Sequence, residues 1–271
     1  NAVDATIDDP QGIGTIDDPE DVPGLTIDDV NVNEDAGVAI FTITRGGSTA
    51  LGASVDFDTV GNTATEGVDF TGTSGTATFA AGQSEAFVTV AITDDAIYEG
   101  PENFVVNLTN AVDATIDDPQ GIGTIDDPED LPAFAIDDVS VNETDGVAIF
   151  TVTKTGATNL ASSVDFATAD GTATAGLDYT AINGTLNFAA GVTALQITVP
   201  ILDDAVFEGP ESFNVDLSNP TNATIDDPQG VGTINDPEDA PGLTIDDVNV
   251  NEDAGVAIFT ITRGGSTALG A

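Results

Sequence analysis

Apolar and polar residues alternate along most of this chain with the period of two that a half-buried β-strand requires. Val38-Ala39-Ile40-Phe41-Thr42-Ile43-Thr44, Ser54-Val55-Asp56-Phe57-Asp58-Thr59, Thr76-Ala77-Thr78-Phe79, the run from Phe87 to Ile92 and the run from Asn103 to Leu108 each predict a strand. They are β-branched, aromatic or alternating, and such side chains suit a pleated surface. Val55 and Phe57 are predicted to point inward, Asp56 and Asp58 to face water. Between the strands stand Arg45-Gly46-Gly47-Ser48, Gly61-Asn62, Ala81-Gly82-Gln83 and Gly100-Pro101, all turn chemistry. About seven short strands in ~100 residues is the arithmetic of an immunoglobulin-like antiparallel sandwich. Phe41, Phe57, Phe79, Phe87 and Phe104, with Phe150, Phe166, Phe188, Leu195 and Phe213, form the predicted core. No segment reads as a helix.

The pattern returns with a period of 109 residues: Leu25-Thr26-Ile27-Asp28-Asp29-Val30 reappears from Phe134 to Val139 and again from Leu243 to Val248. Asn1 to Asp21 is reproduced unchanged at Asn110 to Asp130, and Pro23 to Ala53 at Pro241 to Ala271. This is an array of all-β, immunoglobulin-like sandwiches, divided as 1–24, the tail of a preceding repeat; 25–133 and 134–242, two whole repeats; and 243–271, the start of a following one. The partial repeats are expected to leave a half-apolar sheet edge unpaired, as in a window cut from a longer array. Pro and acid cluster at the joints, Asp126 to Pro132 and Asp236 to Pro241, where proline stiffens the connection.

Charge narrows the partners. Three cations, Arg45, Lys154 and Arg263, face 48 carboxylates for a net charge of -45, roughly -18 per repeat against a magnitude of about 2 to 8 for ordinary small domains. Nucleic acid and anionic membrane surfaces are repelled, and no apolar run approaches the ~20 residues of a membrane span. Yet 40% of the residues are hydrophobic, too many for a solvated acidic tail, so folding and cation binding are expected to be linked. The chain has no Cys, His, Met or Trp, which removes disulfides, imidazole bases and soft-metal ligands and leaves calcium as the suited metal. Without His or Cys no Ser-His or Cys-His nucleophile exists, and one active site repeated along a chain is uncommon, so the sequence does not read as an enzyme.

The densest chemistry lies from Thr93 to Glu102, with Asp94, Asp95, Glu99 and Glu102, and is repeated from Leu202 to Glu211. Four carboxylates in nine residues, bent by Gly-Pro, raise one another's pKa unless a cation neutralises them. Calcium takes six to eight hard oxygens at about 2.3 to 2.6 Å in irregular geometry, which such a loop can offer. A solvated acidic loop is the alternative. Asp117-Asp118-Pro119-Gln120-Gly121 and its copy at Asp226 to Gly230 read as exposed hairpin tips, while Asp28-Asp29 and Asp137-Asp138 sit just after a joint and could reach a metal of the preceding repeat.

These loops resemble the Calx-beta domain, a family found in sodium/calcium exchangers and in tandem runs in bacterial surface and secreted proteins. The likeness covers the whole period. It rests on Asp-Asp-x-Ile/Val-Tyr/Phe-Glu-x-x-Glu, on Gly67 to Thr71 and Gly176 to Thr180, on Val32-Asn33-Glu34 and Val141-Asn142-Glu143, and on Gly123 to Asp127. The resemblance implies several calcium ions per repeat at one pole of each sandwich. Its ligands would be Glu34, Asp69, Asp94, Asp95, Glu99, Glu102, Asp126 and Asp127, with the Ile97 carbonyl. In the second repeat they are Glu143, Asp178, Asp203, Asp204, Glu208, Glu211 and Asp236, with the Val206 carbonyl. Asn235 replaces the counterpart of Asp126, which predicts a weaker or emptier site there; Asp17, Asp18 and Glu252 are the copies in the partial repeats.

Together these readings predict a calcium-binding structural region of a long extracellular or cell-surface adhesin, stalk or filament. Its partners would be neighbouring repeats of the same chain and other copies in a filament, and calcium would rigidify poles and joints. The alternative is a calcium-sensing regulatory module attached to a transporter or other effector.

Overall fold

The computed structural model describes residues 22–267 together with 4, 6 and 11–14. They fall into two compact units, one formed by residues up to 95 with 101–127, the other by 96–100 with 128 onward. Among the described residues there is no α-helix, only single 3-10 turns at Glu34–Ala36, Glu143–Asp145 and Glu252–Ala254.

The first unit is a sandwich of two sheets. Its strands are β1 (Gly24–Ile27), β2 (Val30–Asn33), β3 (Val38–Arg45), β4 (Ala53–Gly61), β5 (Ser74–Phe79), β6 (Glu85–Ala91), β8 (Glu102–Val112), β9 (Thr115–Ile116) and β10 (Gln120–Asp126). One sheet runs β6-β3-β1-β9 and the other β2-β10-β8-β4-β5. β7 (Ile97–Tyr98) is grouped with the second unit. That unit repeats the plan with β11 (Ala133–Ile136), β12 (Val139–Asn142), β13 (Val147–Thr155), β15 (Ser162–Asp170), β16 (Asn183–Phe188), β17 (Ala194–Pro200), β19 (Glu211–Thr221), β20 (Thr224–Asp227) and β21 (Gln229–Asn235). Its sheets run β17-β13-β11-β20 and β12-β21-β19-β15-β16. Three further strand pieces, β22 (Leu243–Ile245), β23 (Ile261–Arg263) and β24 (Ser266–Thr267), belong to the following partial repeat.

Alternation decides what is inside. In β3, Ala39, Phe41 and Ile43 point into the core, and in β8 Phe104, Val106 and Leu108 do the same. Phe104 is the hub: Phe70 stacks on it at 4.6 Å between centroids and Phe41 meets it edge-on at 5.8 Å. Phe213, Tyr179 and Phe150 repeat the trio at 4.5 and 5.8 Å, separations at which aromatic pairs attract beyond their buried area. One core expectation is overturned: Phe87 is 63% exposed, because Val88 and Val90 of β6 take the inward positions and throw their neighbours outward. Its counterpart Leu195 is only half-buried.

The chain enters each sandwich by serving both sheets in turn. β1 pairs antiparallel with β3 in one sheet, and β2 pairs in parallel with β10 in the other. Asp28 and Asp29 make the change of sheet. The Thr42 N–H donates to Asp28 Oδ1 at 2.6 Å and the Ile122 N–H to Asp29 Oδ1 at 2.8 Å. Asp137 and Asp138 hold Thr151 and Val231 at the same two distances. These carboxylates therefore satisfy backbone donors where the ladders break. Gly121 is needed at the crossing, since a Cβ there would lie 2.5 Å from the Asp28 carbonyl oxygen.

At the pole near these entries the only cations of the whole repeats are buried. Arg45 donates from Nη1 to the Leu51 carbonyl at 2.8 Å. Lys154 donates from Nζ to Ser162 Oγ at 3.2 Å and lies over the Phe188 ring, and burial lowers its pKa.

Candidate metal centre

The opposite pole of each sandwich gathers the acids. In the second unit the 3-10 turn after β12 turns the Glu143 side chain inward, where it is buried. Asp178 comes from the turn closed by Tyr179, Glu208 from the Gly-Pro bend before β19, Glu211 from the first residue of β19, and Asp236 from the residue after β21. One carboxylate oxygen each from Asp178, Glu208 and Glu211 lies within 4.8 Å of the others. With Glu143, Gly209, Ile234 and Asp236 they line a cavity of about 10 Å³. That is space for about one water-sized sphere.

Local hydrogen bonds fix this arrangement. The Asp204 N–H donates to Glu143 Oε1 at 3.0 Å, the Glu208 N–H to Asp236 Oδ2 at 3.1 Å and the Thr174 N–H to Asp178 Oδ2 at 2.6 Å. Each bond uses part of one carboxylate's accepting capacity, so further lone pairs remain for a cation. Burial, then the neighbouring Asp236, Asp204 and Asp203 charges, push Glu143 up to about 7. Glu211 is pushed up to about 7 by burial and by Asp178, and Glu208 is raised for the same reasons. Carboxyls held above their usual range mark negative charge confined without a counter-ion.

The first unit repeats the pattern. Glu34, Asp69 and Asp127 are buried. Burial first, then Asp127, Asp95 and Asp94, raise Glu34 to about 7. Oxygens of Glu34 and Asp94 lie within 4.8 Å of each other, as do those of Asp69 and Glu102, and the Thr65 N–H donates to Asp69. Asp126 ends β10 opposite Asn33 of β2.

Ile97 and Glu99 lie in the segment grouped with the second unit, and Val206 forms β18 (Val206–Phe207) with its N–H on Asp204 Oδ1 at 2.6 Å. Asp203 and Asp204 are exposed beside the cluster, while Asn235 donates its amide to Ser140 Oγ and the Val141 carbonyl at 2.9 and 3.0 Å, holding β12 to β21. Glu252 is exposed, and Asp17 and Asp18 lie outside the described residues. Asp28, Asp29 and their copies do backbone work at the sheet crossing. Asp117 and Asp118 sit in the exposed turn between β9 and β10.

The donor set is entirely hard oxygen, compact and partly buried, which fits calcium or a similar cation and excludes a soft-metal site. Fold and pole together define a tandem β-sandwich module with an acidic, metal-type apex. The chain belongs to the Calx-beta domain family, whose model matches residues 17–129 and 126–248. It is 35% identical over 170 residues, 58% of the chain, to Extracellular matrix protein 3 of Lytechinus variegatus, and 34% identical over 256 residues, 85% of the chain, to human Extracellular matrix organizing protein FRAS1. It is also 29% identical over 213 residues, 69% of the chain, to human Sodium/calcium exchanger 3. The chain spans 6% of the length of each matrix relative and 23% of the exchanger. Among solved structures, the apo form of the Calx CBD1 domain matches at 28% identity and TM-score 0.39, over 40% of this chain and 99% of that one. CBD12 from CALX1.2 matches at 24% identity and TM-score 0.41, over 73% and 81%.

Proposed function

We propose that this chain is a calcium-binding structural region of a long extracellular protein, an adhesin, stalk or filament, in which Ca2+ loads the acidic apex of each repeat and rigidifies the joint beyond it. The carrying observation is the cluster of Asp178, Glu208 and Glu211 around an ion-sized cavity, with Glu143 and Glu211 raised to about 7. Such a pole is electrostatically frustrated as long as it lacks a cation. Binding removes that repulsion and adds its free energy to folding. Extracellular modules commonly bind calcium with dissociation constants of about 10⁻⁴ to 10⁻³ M, so outside a cell even weak sites fill. Two near-identical repeats with the same acid set suit length and stiffness, and similarity to two matrix proteins supports the location.

The exchanger similarity favours a second reading, a calcium-sensing module that regulates an attached effector. The two differ in affinity: a sensor requires micromolar calcium, a structural array millimolar. Calorimetric melting against calcium concentration, with chelator as baseline, tests the proposal. A rise in melting temperature that saturates in the millimolar range, and is lost for the second unit in Asp178→Asn/Glu211→Gln, is expected. No shift at millimolar calcium overturns calcium binding, and saturation at micromolar calcium overturns the structural reading in favour of the sensor.

A further inference from the structure

The acidic poles of the two repeats are not built alike. Tyr179 is 1% exposed and stacks on Phe213 as Phe70 stacks on Phe104, and unlike Phe70 it carries a hydroxyl. That hydroxyl donates to Asp170 Oδ1 at 2.6 Å, and the Ala175 N–H donates to the same oxygen at 2.9 Å. The Tyr179 bond, then the Ala175 one, hold the Asp170 carboxyl below its usual range. At neutral pH the acceptor is therefore charged, and such hydrogen bonds are the stronger kind. One exposed carboxylate at the end of β15 thus ties the turn from Ala175 to Tyr179 at both of its ends.

Asp178 lies inside that turn. Its Oδ2 accepts from the Thr174 N–H at 2.6 Å and its carbonyl from the Leu202 N–H at 2.9 Å. The carboxylate that meets Glu208 and Glu211 is aimed by a turn whose ends Asp170 fixes.

In the first repeat both members of the pair are absent together, Gly61 standing at the place of Asp170 and Phe70 at that of Tyr179. The backbone accounts for the exchange. A Cβ at Gly61 would lie 2.5 Å from the Ala64 carbonyl oxygen. In the second repeat the close approach has moved one residue on, to Gly171, where a Cβ would lie 2.4 Å from the Ser212 carbonyl oxygen. Position 170 is thereby open to a side chain. A buried hydroxyl without an acceptor is costly, so the two differences belong together.

We propose that Asp170 and Tyr179 are positioning residues for the acidic apex of the second repeat. Their bond presets the Asp178 carboxylate and raises the calcium affinity of a pole that has Asn235 where the first has Asp126. Neither is a ligand: they act through the turn, by sparing the ordering that binding would otherwise demand. This inference rests on the calcium reading.

Calcium titration of the whole chain, read by NMR at the Thr174 and Thr65 amides, tests it. These N–H groups bond Asp178 and Asp69, so they report the two repeats separately. Tyr179→Phe removes only the hydroxyl and leaves the ring that the first repeat also has, so the sandwich should stand. It should raise the calcium midpoint at Thr174 by about tenfold, toward the lower end of what outer-shell partners contribute, and leave that at Thr65 unchanged. Asp170→Ala should do the same, and Asp170→Asn, which keeps an acceptor oxygen, should fall between. A purely structural role would lower the second repeat's melting temperature and leave the Thr174 midpoint where it was, which overturns the proposal. Equal shifts at both amides overturn it too. If calcium moves Thr65 but not Thr174 in the unaltered chain, this inference fails and the calcium reading stands; if it moves neither, calcium binding is itself refuted and the inference with it.

Discussion

Pro23–Ala53 and Pro241–Ala271 are the same 31 residues in two surroundings, and over the described part, up to Thr49 and Thr267, their structures differ. Where β6 and β8 are present, β3 is eight residues long and Phe41 is fully buried; of its counterpart in the partial repeat only Ile261–Arg263 is strand, and Phe259 is 55% exposed. Glu34 is buried beside Asp94, whereas Glu252 stands in solvent. What survives in both is local: the 3-10 turn, the left-handed glycine after it, and the aspartate that accepts the N–H fourteen residues on. Turns and caps are written in the segment itself. Strand length, core burial and the raised carboxyl belong to the completed sandwich.

The largest break in this comparison should come from the core. Phe41→Ala is expected to cost about 3–5 kcal/mol in denaturant unfolding of the first unit. In a chain of these 271 residues the identical change at Phe259, outside any complete sandwich, should move stability by less than about 0.5 kcal/mol, as substitutions at exposed sites do.

Acidity probes the pole next. Glu34, Glu143 and Glu211 keep their protons up to about 7 in the folded protein, against an ordinary value of 4.5. The native state therefore binds more protons than the unfolded chain between these limits. Calcium-free stability should be greatest below about pH 4.5 and fall as pH rises toward 7, at about 1.4 kcal/mol per unit of separation before solvent screening reduces it. Glu34→Gln should flatten the fall in melting temperature for the first unit, while Glu252→Gln leaves it unchanged.

The smallest effect sharpens the local half of the comparison. Asp28→Ala and Asp246→Ala each remove an acceptor, from the Thr42 and Thr260 N–H groups. A loss of about 1 kcal/mol at each should speed amide exchange by a similar factor at both, with no response to calcium.

Much of this architecture was legible in the sequence, because β3, β4, β5, β6 and β8 carry period-two alternation and the 109-residue spacing sets the repeat. Phe87 misled because aromatic character outweighed the phase set by Val88 and Val90. Phe70 and Tyr179, both in the core, carry no such signal, since they lie in turn segments with no periodicity around them. Crowding and resemblance single out the acids that the fold gathers at one pole, but crowding cannot separate a candidate ligand from a backbone acceptor. Asp29 binds an N–H 93 residues away, a pairing no local pattern announces. Two-residue strands such as β7 and β14 (Ala157–Thr158) exist only through each other and leave no signal of their own.

All three positive side chains occupy the same position of the period, and the two in whole repeats are buried. A protease that cuts only after arginine or lysine thus has no cleavable bond outside these positions. Arg45 and Lys154 are sealed by the sandwiches that enclose them, while Arg263, in the partial repeat, is half-open. Limited digestion with trypsin would therefore be slow after Arg45 and Lys154, and each cleavage there would count the opening of one particular repeat.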